Sequence, residues 1–223
     1  IVVVVEEGLE APLERELERF EMDLVGDGWE VVRVTHERDQ GFKHLVDVPE
    51  SQEALRAKII AAYEDDPDKT KAVFLLGRLP IVMSGSTSPD GHASRPHMTD
   101  QFYGDMDGTW TDTEHLEDPV DWNGAAQNLP GDGRYDQNTV PGNGSELQVG
   151  RVDMAGFDPD VLADAGKTEL GMTRNYLRKD HVFRNKFIHV PNHMVNAKWQ
   201  HGVYEQRQAR MITDAEVASL NRF

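Results

Sequence analysis

The chain has 223 residues, 40 of them acidic and 23 basic, for a formal net charge of -17. That excess argues against a nucleic-acid partner, since phosphate binding requires a basic stripe. Cysteine is absent, so the chain holds no disulfide framework, no thiolate metal site and no thiol nucleophile.

An acidic balance suits solubility, divalent cations or basic substrates. No run approaches the roughly 20 apolar residues that a membrane span needs, and IVVVV at residues 1 to 5 is only strand-sized. The sequence opens without Met and shows no signal peptide, which reads as a processed product or an excised segment.

IVVVV is β-branched with no polar alternation, the pattern of a strand covered on both faces. Leu9, Leu13, Leu17, Phe20 and Leu24 then recur at three- and four-residue steps, predicting an amphipathic helix. Pro12 is tolerable only in the first turn of that helix, and GDG at 26 to 28 ends it. WEVVRVTHE, residues 29 to 37, predicts a second strand. Ser51 is placed as the N-cap of a helix carrying Leu55, Ile59, Ala62 and Tyr63, closed by EDDPDK. KAVFLLG, residues 71 to 77, predicts a third buried strand. Strand, helix, strand, helix, strand implies right-handed crossovers and a parallel sheet, hence an α/β fold.

Residues 78 to 146 are different. They are rich in Gly, Pro, Asp, Asn and Thr and carry no sustained period, predicting a long irregular loop within one domain over 1 to 223. A loop that long is uncommon in a compact domain unless it is functional or held by ions. It leaves from the carboxyl end of the third strand, where open parallel sheets bind their ligands. LQVGRV (147 to 152) predicts a return to the sheet, and 160 to 185 a helix with Leu170, Tyr176, Leu177 and Phe183. KFIHV (186 to 190) reads as a short strand, and TDAEVASLNRF (213 to 223) as the start of another helix capped by Thr213 or Asp214.

Within the loop, GDMDGTWTD brings together Asp105, Asp107 and Asp112 between glycines. Alternating aspartates followed by Gly open calcium loops, because a hard cation wants several oxygens and the backbone must turn sharply. Thr109 could add a further oxygen. The EF-hand pattern is not met, since Gly is fourth and the twelfth position is Leu116. A second group, PGDGRYDQ, holds Asp132 and Asp136, and the two groups could complete one cage if they meet in space. Asp105 and Asp107 are thus expected to act first as ion ligands, their loss lowering stability in calcium but little in chelator. The competing explanation is that Asp and Gly simply favour turns. His92, His97 and Asp100 lie close together but match no specific metal-ligand spacing, and neither a GxSxG elbow nor a phosphate loop is present.

The order of FLLGRLPIVMSG, PDGH, TDQFYGDMDGTWTD, PGDGRYDQ and LQVGRVD, after a βαβαβ start, resembles the gingipain-type cysteine peptidases over residues 1 to 185. The resemblance implies a caspase-like, mostly parallel sheet that continues beyond this chain. It also implies bound calcium and an extracellular or cell-surface origin in a bacterium. The family's dyad is a His followed by Gly after an apolar strand, then a Cys after the next strand. His201-Gly202 follows NAKWQ instead, and no Cys exists, so no catalytic role is carried onto this chain.

Two functions follow as expectations. The first is part of a secreted peptidase domain acting on peptides, its dyad supplied by the remainder of that domain or by a second processed chain. The second is a non-catalytic, calcium-stabilised extracellular structural or binding module. A metal-dependent hydrolase built on His92, His97 and Asp100 stands third.

Overall fold

A computed structural model describes residues 1–40, 49–85, 96–115, 128–155 and 167–187, with 157, 160 and 163. The expected helix over 213–223 and the residues 188–190 of the expected strand lie outside these.

The chain divides into two compact units, one of Ile1–Pro12 with Glu30–Leu170, the other of Leu13–Trp29 with the residues from Gly171 on. The first unit is built on a sheet of four parallel strands in the order β2-β1-β3-β7. Strand β1 is Val2–Glu6, β2 Val32–His36, β3 Ala72–Leu76 and β7 Gln148–Val152. All four valines of β1 are fully buried, as a centre strand covered on both faces requires. The expected strands at 71 to 77 and 147 to 152 are both present and are hydrogen-bonded neighbours.

Helix α2, Pro49–Asp65, sets Leu55 and Ile59 into a core with Val2, Val4, Val73 and Leu75. Ser51 is not its N-cap, because the helix begins two residues earlier. Its hydroxyl instead meets His36 Nε2 at 3.0 Å and donates to Glu37 at 3.2 Å.

Between β3 and β7 the chain is less irregular than its composition suggests. Strands β4 (Met83–Ser84), β5 (His97–Met98) and β6 (Arg134–Tyr135) form a second sheet in the order β5-β4-β6, and a 3-10 turn spans Gln101–Tyr103. Two-residue strands are too short to show any period. Phe102, Tyr103 and Tyr135 from this region join the same core as α2. The turn out of β3 depends on Gly77, whose φ is +98°. A Cβ there would also lie 2.6 Å from that of Glu6.

Helix α1, Glu7–Gly26, starts the chain's passage into the second unit. Pro12 sits past its first turn, one turn deeper than expected. Its end follows the expected glycines: Gly28 has φ +95°, and the N–H of Trp29 bonds the carbonyl of Leu24 at 3.0 Å. Leu13, Leu17, Phe20 and Leu24 are buried. Of the helix expected over 160 to 185, residues 160 and 163 are helical, 167 and 168 are not, and helix α3, Glu169–Phe187, follows and takes in the first two residues of the expected strand at 186 to 190. Within the second unit its Arg178 donates to the buried Glu16 at 2.9 Å, and His181 Nδ1 meets Asp23 at 2.6 Å.

Candidate functional site

The carboxyl ends of the parallel strands carry a charged network. Glu6, at the tip of β1, is almost fully buried and accepts from the Arg78 backbone N–H at 2.7 Å and from Arg38 at 2.9 Å. Arg38 also makes a two-point contact with Glu169 at 2.8 and 3.0 Å, and Arg78 reaches Asp153 at 2.9 Å. The hydrogen bonds that Arg38 donates to Glu169 lead the causes that raise its pKa. These acids are matched by arginines, which makes the network a fastening for the strand ends rather than a source of free bases.

His36 lies beside this network and is buried. Nε2 meets Ser51, while Nδ1 has no hydrogen-bond partner among the described residues. Burial, followed by the nearby Lys58 charge, holds its pKa below the ordinary 6.5 against the opposing pull of Glu37 and Ser51. The unfolded chain therefore binds this proton more readily than the folded one. Its contribution to stability is complete above pH 6.5 and is lost as pH falls through the lowered folded value. Denaturant unfolding between pH 7.5 and 5 should show stability falling with acidification, and His36→Gln should flatten that slope. An unchanged slope in the variant would assign the acid sensitivity to other groups.

The loop between β3 and β7 is fastened by two arginines. Arg151, from the VGR of β7, donates to both Asp100 oxygens at 2.8 to 3.1 Å and to the carbonyls of Leu79 and Pro80 at 2.8 and 3.0 Å. Arg56, from α2, donates to the carbonyls of Phe102, Asp105 and Gly108 and lies over the Phe102 ring. The Tyr103 hydroxyl donates to the Pro80 carbonyl at 2.9 Å, and burial raises its pKa well above the ordinary value.

This arrangement splits the six expected ion ligands. Asp105 is fully buried, and both its oxygens already have donors, Gly108 N–H and the Trp110 indole N–H, each at 2.7 Å. A Cβ at position 108 would lie 2.0 Å from that carboxylate, which accounts for the glycine. Asp107 is exposed, and with Asp105 and Glu146 it forms an acidic group whose ligand oxygens lie within 4.8 Å of one another. Such a group could hold a metal ion. Glu146 also accepts the Met106 N–H at 2.7 Å. Nothing in the sequence singled out Glu146, which stands alone after a glycine-rich turn, 41 residues past Asp105.

The two Asp-Gly groups do meet, but through backbone N–H groups. Asp112 accepts from Gly131 and Gly133 at 2.9 and 2.8 Å. Asp132 accepts from Leu129 and Arg134, and Asp136 from Thr113, Glu114 and Asn128. Burial pushes the Asp136 carboxyl upward, yet these donors outweigh it and its pKa is lowered. Thr109 is exposed. The second acidic cluster is therefore a hydrogen-bonded turn system, as Asp-Gly turn chemistry dictates. Of the third candidate set, His97 is exposed on β5, Asp100 is occupied by Arg151 and His92 lies outside the described residues.

No helix among the described residues is long and apolar enough to cross a membrane. Compared with known family models, curated proteins and solved structures, the chain gives no match.

Proposed function

We propose that this chain is the non-nucleophilic part of a secreted, gingipain-like cysteine peptidase domain, with the His/Cys dyad supplied from outside it. One observation carries the reading. The segments by which the chain resembles that family fasten to one another, Asp100 of TDQFYGD and the Leu79 and Pro80 carbonyls of FLLGRLP all meeting Arg151 of LQVGRVD. They thereby organise the loop at the carboxyl end of β3, the position open α/β folds use for ligands. In this reading the chain holds the scaffold for an extracellular, peptide-cleaving site in a caspase-like domain and contributes no thiolate.

The test is mass under native and then denaturing conditions, combined with casein hydrolysis in the presence and absence of iodoacetamide. A longer or second polypeptide bearing His-Gly and Cys, with iodoacetamide-sensitive hydrolysis, supports the reading. A lone 25.1 kDa species without hydrolysis refutes it.

A second reading, a non-catalytic calcium-stabilised extracellular module, is favoured by the Asp105, Asp107 and Glu146 group. The oxygens of Asp107 and Glu146, beside an Asp105 already bonded to Gly108 and Trp110, suit calcium better than a soft-ligand metal. Calcium at 100 times its dissociation constant stabilises by about 2.7 kcal/mol, or roughly 5 to 10 °C in a domain of this size. Asp107→Asn and Glu146→Gln should each abolish most of that gain while leaving the chelator-treated Tm within about 2 °C. Calcium that leaves wild-type Tm unmoved would remove the ion from both readings.

A further inference from the structure

A cleft of about 250 Å³ opens beside the second sheet, distinct from the acidic group and from the strand-end network. Its walls include Thr99, Gln101, Trp110, Gln137, Asn138 and Thr139. In a chain that is 28% charged, the lining has no Asp, Glu, Lys or Arg, and its one titratable side chain is His97. A cation entering it would lose water without gaining a carboxylate, and an anion would find only the exposed His97 against the field of a chain at -17. The occupant that fits is neutral.

Besides the His97 ring, the polar side chains offered are hydroxyls and carboxamides, groups with both donor and acceptor capacity. Adjacent hydroxyl groups on a ligand match such a lining, because each can give one hydrogen bond and accept another. The aromatic wall is set in advance. Trp110 is held by its indole bond to Asp105 and by edge-to-face contacts with Phe102 and Tyr135, ring centroids 5.4 and 5.9 Å away. Gln137 is also fixed, accepting from the Thr111 N–H at 3.1 Å and donating to the Thr111 hydroxyl at 2.6 Å. Gln101 and Thr139 are exposed. A rigid apolar ring beside orientable polar groups suits a ligand with one C–H-rich face and a hydroxylated rim. The volume is below that of ordinary drug-sized pockets and suits one ring rather than a chain.

We propose that this cleft binds a single ring of a neutral carbohydrate. The proposal depends on neither peptidase activity nor calcium, and it is tested by binding alone. Saturation-transfer NMR with neutral methyl glycosides of glucose, galactose, mannose and N-acetylglucosamine should show transfer to at least one of them. A dissociation constant on the order of 1 mM is expected. Thr139→Trp, which fills the cleft from an exposed position, should abolish the transfer. Gln101→Ala, which removes an exposed carboxamide, should weaken it several-fold without changing Tm. Absence of transfer from all four glycosides overturns the proposal, as does equal transfer in Thr139→Trp. So does Thr139→Trp-sensitive binding of an uncharged tetrapeptide when the glycosides do not bind.

Discussion

Asp105→Ala should be the most damaging single change in the loop, lowering Tm by roughly 6 to 12 °C. The substitution removes a fully buried carboxylate and leaves the Gly108 N–H and the Trp110 indole N–H without their acceptor. A buried donor left unpaired costs about 1 to 3 kcal/mol, so the pair amounts to about 3 kcal/mol once the partial exposure of Trp110 is allowed for. At this chain length each kcal/mol moves Tm by about 2 to 4 °C. The loss should be the same in calcium and in chelator. This reverses the expectation drawn from sequence, in which Asp105 and Asp107 act together as ion ligands. Asp105 is stabilised by the protein itself, and Asp107 is the residue whose loss separates the two conditions. Thermal unfolding of each variant, followed by Trp fluorescence, decides the matter. A calcium-dependent loss for Asp105→Ala would return it to the ion.

Arg151→Met should come second, with a loss of about 2 to 3 kcal/mol. The guanidinium is largely buried, at 14% exposure, and its removal strands Asp100 and the Leu79 and Pro80 carbonyls together. Breaking a buried pair costs about 3 to 5 kcal/mol, and the one-third exposure of Asp100 discounts that figure. Arg151→Lys should rescue little, because a single ammonium cannot serve both carboxylate oxygens and two carbonyls. In a double-mutant cycle with Asp100→Asn the coupling should exceed about 1 kcal/mol. Additive losses would mean that Arg151 acts mainly through the carbonyls.

The parts of the fold that sequence reveals are those where burial leaves a local mark. Val2 to Val5 and Ala72 to Leu76 announce strands because both faces are covered, and Leu13, Leu17 and Leu24 repeat at helical spacing. The second sheet left no such mark. Arg134 and Tyr135 form a strand only because Met83 and Ser84 lie alongside them, about 50 residues away in the chain. Ser51 has the chemistry of a cap but spends its hydroxyl on His36 and Glu37, so it does not mark where α2 begins.

At the candidate site, composition shows where acidic groups gather but not which donors reach them. Asp105, Asp112 and Asp107 look alike in sequence. In the structure the first is sealed by an indole, the second is bound by two glycine N–H groups, and the third is exposed. Glu146 joins the site through a separation of about 40 residues, which no local pattern encodes.

The way Arg56 grips the loop has a consequence for how this region can change over evolutionary time. Its guanidinium is bonded to the carbonyls of Phe102, Asp105 and Gly108. Every amino acid presents a carbonyl, so the grip itself imposes no residue type and is preserved through substitution. It does impose spacing. One residue inserted or removed between 102 and 108 would displace the carbonyls from the fork, whose donors have a fixed geometry. The grip thus adds a constraint on length to the constraints on residue type that Phe102, Tyr103, Asp105 and Gly108 already carry, and related chains should keep the length of this stretch constant.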